Sequence, residues 1–520
     1  MAKALLINPS YKDSYGSAKA SVVDPIYPTP SILALAAMAQ SNGHKIEILD
    51  LSYSQYDYRV VRDKIEEFKP DVVGVTATTP LMNQMRDISV LVKSISKDIL
   101  VIGGGSHVSC LPGESMEESM LDMVAVGEGD HTFLDILNGL SPQNIKGIHY
   151  RKGSDILGTD PRPFVQNLDD LPMPAWHLYD SRKYKYKISR LLAKRRPLAM
   201  AEFSRGCLYK CNFCASKNTV GLGLRKKSPA RCVAEAREMR RLGYREFTLA
   251  DDIFTSDQAW AKAVSEEMIR ADLDMTWTCT NGIRVESAEP KMFEAMRKAG
   301  CYRVAFGFET GSDDVLKGFG KGGKASIEQG REAVKMAKAA GIETIGFFLL
   351  GLSHDNEETV MDTINYARSL PLDMLKFGIA IAFPGTPMFV EYRKKGLIRS
   401  YNWDDYFIYT TQPLFAHPKL SIERINEYMG IAYRKAILAN PSFITRRLWR
   451  GIKTGEFFWD VYYFLKFATA PAINKQTHSA IYFAKDKWPK YDFTTKPITY
   501  YPIRHASNTS TKEASAGIEI

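Results

Sequence analysis

Strand-length apolar runs, each followed by a segment of helical periodicity, occur in two successive series along the chain. In the first 140 residues the runs are Ala4–Asn8, Lys45–Asp50, Val72–Thr76, Leu100–Gly103 and Met123–Val126. Helical patterns lie between them at Ser31–Ser41, Arg59–Phe68, Met82–Ile95 and Glu114–Met120. Strands alternating with helices of this size predict a parallel, doubly wound α/β sheet. Most of the runs lack polar alternation, as strands buried on both faces do. The second series places strands at Leu198–Ser204, Glu246–Asp251, Met275–Thr280, Tyr302–Phe308, Thr344–Leu350 and Phe377–Phe383, with helical patterns such as Ala230–Leu242 and Ser326–Ala340 between them. Six βα units in a row predict a partial or complete α/β barrel. Such barrels carry their chemistry at the C-terminal ends of the strands.

The rest of the chain is organised around these series. A length of 520 residues exceeds what one hydrophobic core organises. The expected divisions are a sheet domain over 1–140, a proline-bearing connector over 141–195 and the barrel over 196–400. A mostly helical region, with a helix at Ser421–Leu438, follows over 401–505, and a Ser/Thr-rich disordered tail over 506–520. An apolar fraction of 45% and a charged fraction of 25% exclude a disordered or collagen-like chain. Seven cysteines are too few for a disulfide scaffold and favour a reducing cytoplasm. The net charge of +10 suits nucleic acid, an anionic membrane surface or an acidic substrate without choosing among them. The opening apolar run Ala4–Ile7 is too short for an export signal, and no window reaches the ~18 apolar residues of a spanning helix.

Three cysteines fall in Cys207-Leu-Tyr-Lys-Cys211-Asn-Phe-Cys214, directly after the first barrel strand. Thiolates at this C-x3-C-x2-C spacing suit an iron–sulfur cluster. A structural zinc site wants four ligands, usually as two pairs, and Cys232 lies well outside the loop. Three protein ligands on a four-iron cluster leave one iron open to a substrate or cofactor.

From Ser204-Arg205-Gly206-Cys207 to Cys214-Ala215 the chain resembles the cluster loop of the radical SAM superfamily. The resemblance implies a [4Fe-4S] cluster on Cys207, Cys211 and Cys214. It also implies S-adenosylmethionine (SAM) chelated to the open iron and cleaved to a 5′-deoxyadenosyl radical. Phe213 stands at the family's adenine-contacting aromatic position. Asp251, in Asp251-Asp252, follows the second strand, where the family handles the methionine end of SAM, although the usual Gly-Gly-Glu wording is absent. Glu309, in Gly307-Phe-Glu309-Thr-Gly-Ser312, matches the segment whose Glu meets the SAM ribose or amino group. Gly346–Leu352 and Phe383-Pro-Gly-Thr-Pro387 resemble the fifth and sixth strand segments.

The sheet domain extends the resemblance to the B12-dependent class, through Pro28-Thr-Pro30-Ser31, Asp50, Gly103-Gly104-Gly105-Ser-His107 and Gly127-Glu128-Gly129. Residues 1–140 would then form a cobalamin-binding domain, its Gly-rich loops at strand C-termini admitting a flat macrocycle. Thr78 and Thr79 would hydrogen-bond corrin amides. The Asp-x-His-x-x-Gly signature that supplies a lower cobalt ligand is absent, and His107 reads more readily as a loop hydrogen-bonder than as a cobalt ligand. A nicotinamide site would want G-x-G-x-x-G after the first strand, where Asn8-Pro-Ser-Tyr stands instead. A tRNA methylthiotransferase would carry three more cluster cysteines in its N-terminal domain, and only Cys110 precedes residue 200.

Arg446, Arg447, Arg450 and Lys453 precede seven aromatics between Phe457 and Phe467. This segment either rests on an anionic membrane, packs on the barrel with an exposed basic face, or caps the substrate pocket. The arrangement resembles B12 radical SAM proteins acting on tetrapyrroles and polycyclic lipids, such as the anaerobic Mg-protoporphyrin ester cyclase and the hopanoid methylases. The resemblance implies a methyltransferase acting on an unactivated carbon of a bulky apolar small molecule, supplied with electrons by a flavodoxin or ferredoxin and not engaging nucleic acid. The alternatives are the same cofactors in a non-methylating radical reaction such as oxidative cyclisation, and a non-catalytic cobalamin or redox sensor. The expected location is cytoplasmic, with contact at the inner membrane face in the membrane reading.

Overall fold

A computed structural model describes residues 1–12, 29–179, 193–318, 325–410, 412–469 and 480–498. The expected tail over 506–520, Pro28, and the side chain of Phe467 lie outside the described residues.

The first series forms β1 (Lys3–Asn8), β2 (Lys45–Asp50), β3 (Val72–Thr76), β4 (Leu100–Gly104) and β5 (Met123–Ala125). These pair in parallel in the order β2-β1-β3-β4-β5. The direction of winding reverses between β1 and β3, so a crevice opens there at the strand C-termini. Val73, Val75 and Val101 are buried, as strands covered by helices on both faces require. The stretch expected to be a connector does more than connect. Its β6 (Ile148–Lys152) and β7 (Asp155–Gly158) extend the same sheet as antiparallel edge strands. Their polar, half-exposed residues hid them from a search for apolar runs.

The second series forms six parallel strands in sequence order. They are β8 (Leu198–Ala201), β11 (Glu246–Leu249), β12 (Thr276–Ile283), β13 (Cys301–Glu309), β14 (Glu343–Leu350) and β15 (Met374–Ile379). A short antiparallel pair, β9 (Ser204–Arg205) with β10 (Arg225–Lys226), brackets the cysteine loop. The last strand starts before the expected Phe377, because polar Lys376 interrupts the apolar pattern. It ends at Ile379, ahead of the turn at Pro384. One face of the curved sheet carries the aromatic chain Phe308–Phe348–Phe377–Tyr433, under the outer helices Glu357–Ser369 and Ile422–Tyr433. The alternate residues Arg303, Gly307, Glu343, Phe347 and Lys376 therefore face the lumen.

The basic and aromatic segment is two helices, Pro441–Thr454 and Phe457–Thr469. Two of its cations point inward. Arg447 pairs with Asp460 at 2.7 Å, and Arg450 pairs with Glu343 at 2.5 Å and Glu456 at 2.8 Å. Glu343 opens β14, so this hairpin sits at the N-terminal ends of the strands, opposite the cysteine loop. The structure thus overturns the pocket-capping reading. Among the described residues no helix is long and apolar enough to cross a membrane.

Candidate active site

Backbone geometry shapes the cysteine loop. Gly206 has φ +94°, and a Cβ there would lie 1.9 Å from the Gly223 carbonyl oxygen, so only glycine fits. Cys207 N–H donates to Gly221 O, and Gly223 N–H donates to Cys207 O, each at 3.3 Å. Cys214 N–H donates to Cys211 O at 3.2 Å and turns the chain toward the helix Ser216–Val220. Cys207, Cys211 and Cys214 are half-buried, whereas Cys110, Cys232, Cys279 and Cys301 are buried. Burial, joined by Asp252 and the neighbouring thiols, pushes the Cys207 thiol up to about 12. A metal would therefore displace protons on binding.

Two cations flank the loop. Lys217 Nζ donates to Cys211 O at 3.2 Å. The Arg284 guanidinium lies 3.6 Å over the Tyr209 ring, with Nη1 3.9 Å from Cys211 Sγ. Positive charge beside thiols favours the thiolate form that binds metal. Among the described residues no three His, Cys, Asp or Glu side chains gather as a site for one metal ion. The loop supplies three thiols and no fourth ligand, unlike the four-ligand set of a structural zinc site. Three half-buried thiols on one loop, with cations beside them, fit the donor set of a cluster that leaves one iron open.

The two aspartates after β11 face different ways. Asp251 is buried and accepts from Phe203 N–H at 2.9 Å and from Ser204 Oγ–H. It braces the approach to the cysteine loop, and burial raises its carboxyl to about 7. Asp252 takes a hydrogen bond from Ser216, and burial raises its carboxyl to about 6. The Ser216 hydroxyl in turn lies 3.3 Å from Cys214 Sγ. The residue of the pair next to the thiols is therefore Asp252, while the expected Asp251 is tied into the barrel wall. Phe213 packs half-buried against the core beside Cys214. Glu309 ends β13 with φ +66°, a left-handed conformation rare for a residue with a side chain. The ladder between β13 and β14 slips there, and Glu309 stands half-buried at the barrel mouth.

In the sheet domain the loops after β3 and β4 meet. Ala77 N–H donates to Gly104 O at 2.9 Å and His107 N–H to Ala77 O at 3.2 Å. Thr78 Oγ1 lies 2.7 Å from Tyr11 Oη, closing the β1 loop onto the β3 loop. Thr79 Oγ1 lies 3.2 Å from His107 Nδ1. The three glycines differ. A Cβ on Gly103 would lie 2.8 Å from Leu121 Cδ1, so it serves packing. Gly105 has φ +101° and would strike Ala77 O. Gly104 faces open space. His107 is buried edge-on against Trp403, at 4.9 Å, and burial lowers its imidazole to about 3. Gly127 N–H donates to Ser109 Oγ at 3.0 Å. Glu128 turns toward the barrel, 2.7 Å from Arg225 Nη1 and accepting from Val165 N–H at 2.9 Å. Gly129 packs on Leu35.

These two sites face each other. The helix Ser106–Cys110 follows the glycine loop, and the helix Ser216–Val220 follows the cysteine loop. Asn218 Nδ2 lies 3.3 Å from Cys110 Sγ and donates to Gly385 O at 2.8 Å. Gly385 has φ +78°, and a Cβ there would lie 2.4 Å from Cys110 Sγ. Met388 N–H donates to Asn212 O at 3.0 Å, fastening the cysteine loop to the turn after β15.

A six-stranded parallel barrel with a cysteine loop at its mouth, faced by a sheet domain with a glycine cradle at the C-terminal ends of its strands, defines an enzyme class built for a cluster and a second, flat cofactor. Two family profiles match the chain: Radical SAM superfamily over residues 201–367 and B12 binding domain over 17–137. An uncharacterized methyltransferase of Pyrococcus horikoshii is 31% identical over 466 residues, covering 86% of this chain and 98% of that protein. The anaerobic magnesium-protoporphyrin IX monomethyl ester cyclase of Rubrivivax gelatinosus is 26% identical, over 75% of this chain and 70% of that one. Among solved structures, the radical SAM methyltransferase TsrM of Kitasatospora setae, with cobalamin and a [4Fe-4S] cluster bound, superposes with a TM-score of 0.62. It is 21% identical, with 76% of this chain and 75% of that chain covered. The chain belongs to the radical SAM superfamily and, within it, to the B12-dependent enzymes.

Arg284, Lys217 and Asn218 escaped the sequence reading, and Asp252 was seen only as the second member of the Asp251-Asp252 pair. The first three lie outside any motif and carried no signal.

Proposed function

We propose that this enzyme methylates an unactivated carbon of a bulky, largely apolar small molecule of the lipid or tetrapyrrole kind. The observation that carries the reading is the apposition of the cysteine loop and the glycine cradle through Cys110, Asn218 and Gly385. Cys207, Cys211 and Cys214 would hold a [4Fe-4S] cluster, with Phe213 and Glu309 beside bound SAM and Asp251 bracing the loop from behind. Gly104 would lie against the corrin of cobalamin. Thr78, Thr79, Gly103, Gly105, His107, Gly127 and Gly129 would shape that bed, and Glu128 would clamp its rim to the barrel. When bound, the cofactors supply a 5′-deoxyadenosyl radical and a transferable methyl group. The protein's part is to hold donor and acceptor in line and to exclude water. The buried ion-pair chain Asp130–Arg205–Glu128–Arg225 fits that task, fastening the two domains beside the cysteine loop. The divisions expected from sequence stay as proposed units, with the first extended to Gly158 to include its edge strands.

The likeness to the ester cyclase favours one second reading, an oxidative ring closure with the same cofactors. Anaerobic turnover with SAM and a low-potential donor of the flavodoxin or ferredoxin kind separates the two. Methylation yields S-adenosylhomocysteine alongside 5′-deoxyadenosine; cyclisation yields 5′-deoxyadenosine alone. Absence of both products contradicts either enzyme reading.

The hairpin at the closed end supports a peripheral membrane contact in the cytoplasm. Phe458 is 83% exposed, Tyr462 53% and Leu465 58%, with Trp449 and Ile452 also exposed beside Lys453. Aromatics and cations together on one surface suit the interface of an anionic bilayer. The reading assigns no nucleic-acid partner.

A further inference from the structure

Gly307, Phe347 and Lys376 pair across three neighbouring strands and form one lumen row, below Glu309 at the mouth. The floor beneath is charged but internally neutralised. Arg303 Nη2 lies 2.7 Å from Glu343, which also takes Lys194 and Arg450. Glu246 accepts from Tyr302 Oη–H at 2.7 Å and from Thr276 Oγ1–H at 3.0 Å.

Lys376 differs from every other cation of the lumen. Among the described residues no carboxylate lies within ion-pair distance of its ammonium, which instead sits 5.8 Å over the Phe347 ring. The ammonium is recessed in the barrel. Burial and the Arg303 charge beneath it lower it to about 8, so it stays mostly protonated at neutral pH. Holding a lysine unpaired in a partly desolvated wall is costly. The cost is offset when an anion enters. The half-buried Gly307, Phe347 and Leu349 beside it offer apolar surface.

Resting on the proposed function, and with its substrate taken to enter the barrel lumen, we propose that Lys376 is the anion-recognising residue of this enzyme. Its ligand is the carboxylate or phosphate of the molecule that fills the lumen. The substrate is then an amphiphile, an apolar body bearing an anionic arm. The same chemistry could come from the SAM carboxylate, and the test separates the two sources.

Anaerobically reconstituted wild type, Lys376→Met and Lys376→Arg would be titrated with protoporphyrin IX, with its dimethyl ester, and with SAM by equilibrium dialysis. Iron content and melting temperature are measured on the same samples. The expected result is a preference for the free acid over the ester of at least about tenfold in wild type. Lys376→Met should lose it and Lys376→Arg retain it, with SAM binding unchanged. A tenfold loss of SAM affinity in Lys376→Met, without an acid preference, assigns the cofactor carboxylate as the anion. Unchanged binding of all three probes, with iron content intact, overturns the role of Lys376. Failure of wild type itself to take up iron would sink the cluster reading on which the proposed function rests, and not the role of Lys376.

Discussion

At the scale of single residues, position decides the task. Asp251 and Asp252 carry the same carboxyl, yet their side chains meet different partners. One braces the wall and the other meets Ser216 by Cys214. Sequence could place the pair but could not say which member faced the loop. The cysteine triplet could be picked out from sequence because its spacing is local and no packing is needed to see it; its role as cluster ligand is a proposal. Replacing Cys207, Cys211 or Cys214 by Ala should abolish iron binding. Cys232→Ala should retain it, since that thiol is buried away from the loop. Iron and sulfide assays after anaerobic reconstitution decide this. His107 gives a pH test. The fold holds it neutral, whereas the unfolded chain protonates it below about 6.5. Its contribution to stability is thus present above 6.5 and lost as pH falls toward 3. Between pH 6.5 and 5 the loss is about 2 kcal/mol. Glu118, raised by burial to about 7 and facing His107 with Arg86, works in the opposite direction. Urea midpoints of wild type and His107→Gln, compared at both pH values, isolate the histidine. The cobalamin spectrum of that variant should be unchanged, and a base-on to base-off shift would show His107 to be a cobalt ligand.

Among elements, the glycine loop after β4 shows how unlike three adjacent glycines are. Gly104→Val enters open space and should leave the fold intact while excluding cobalamin. Gly103→Val crowds Leu121 and Met85 and should destabilise the fold by ~1–3 kcal/mol. Spectroscopic cobalamin titration beside thermal melting distinguishes them. If Gly104→Val binds cobalamin normally, the cradle is misplaced. The strands of both series were legible because strands buried on both faces are continuous apolar runs. β6 and β7 were not, since edge strands with polar residues look like loops. The C-terminal hairpin was half legible. Its composition marked an unusual surface, but which cations face inward depends on Glu343, more than 100 positions away. Arg447→Glu would place like charges together beside Asp460 and should destabilise by ~3–5 kcal/mol or more. Replacing Phe458, Tyr462 and Leu465 by Ser should leave stability nearly unchanged and release the protein from anionic liposomes. Wild-type protein that ignores such liposomes at about 50 mM salt, where screening is mild, would contradict the membrane contact.

Across the whole molecule, two sheets share one continuous apolar core, running from Ile7 and Val75 of the first to Leu198 and Phe377 of the barrel, and meet where their chemistry lies. Arg205, two residues before Cys207, pairs with Asp130 at 2.8 Å on the far side of the domain junction. No motif announces such a pairing, because its partners lie 75 positions apart. The central claim is that the cysteine loop and the glycine cradle hold their cofactors face to face. Electron paramagnetic resonance of protein carrying cob(II)alamin tests it directly, with the cluster first oxidised and then reduced. The cob(II)alamin signal should broaden and relax faster when the cluster becomes paramagnetic, and should not change in Cys214→Ala. A cob(II)alamin signal indifferent to the reduction state of a fully assembled cluster would contradict the account.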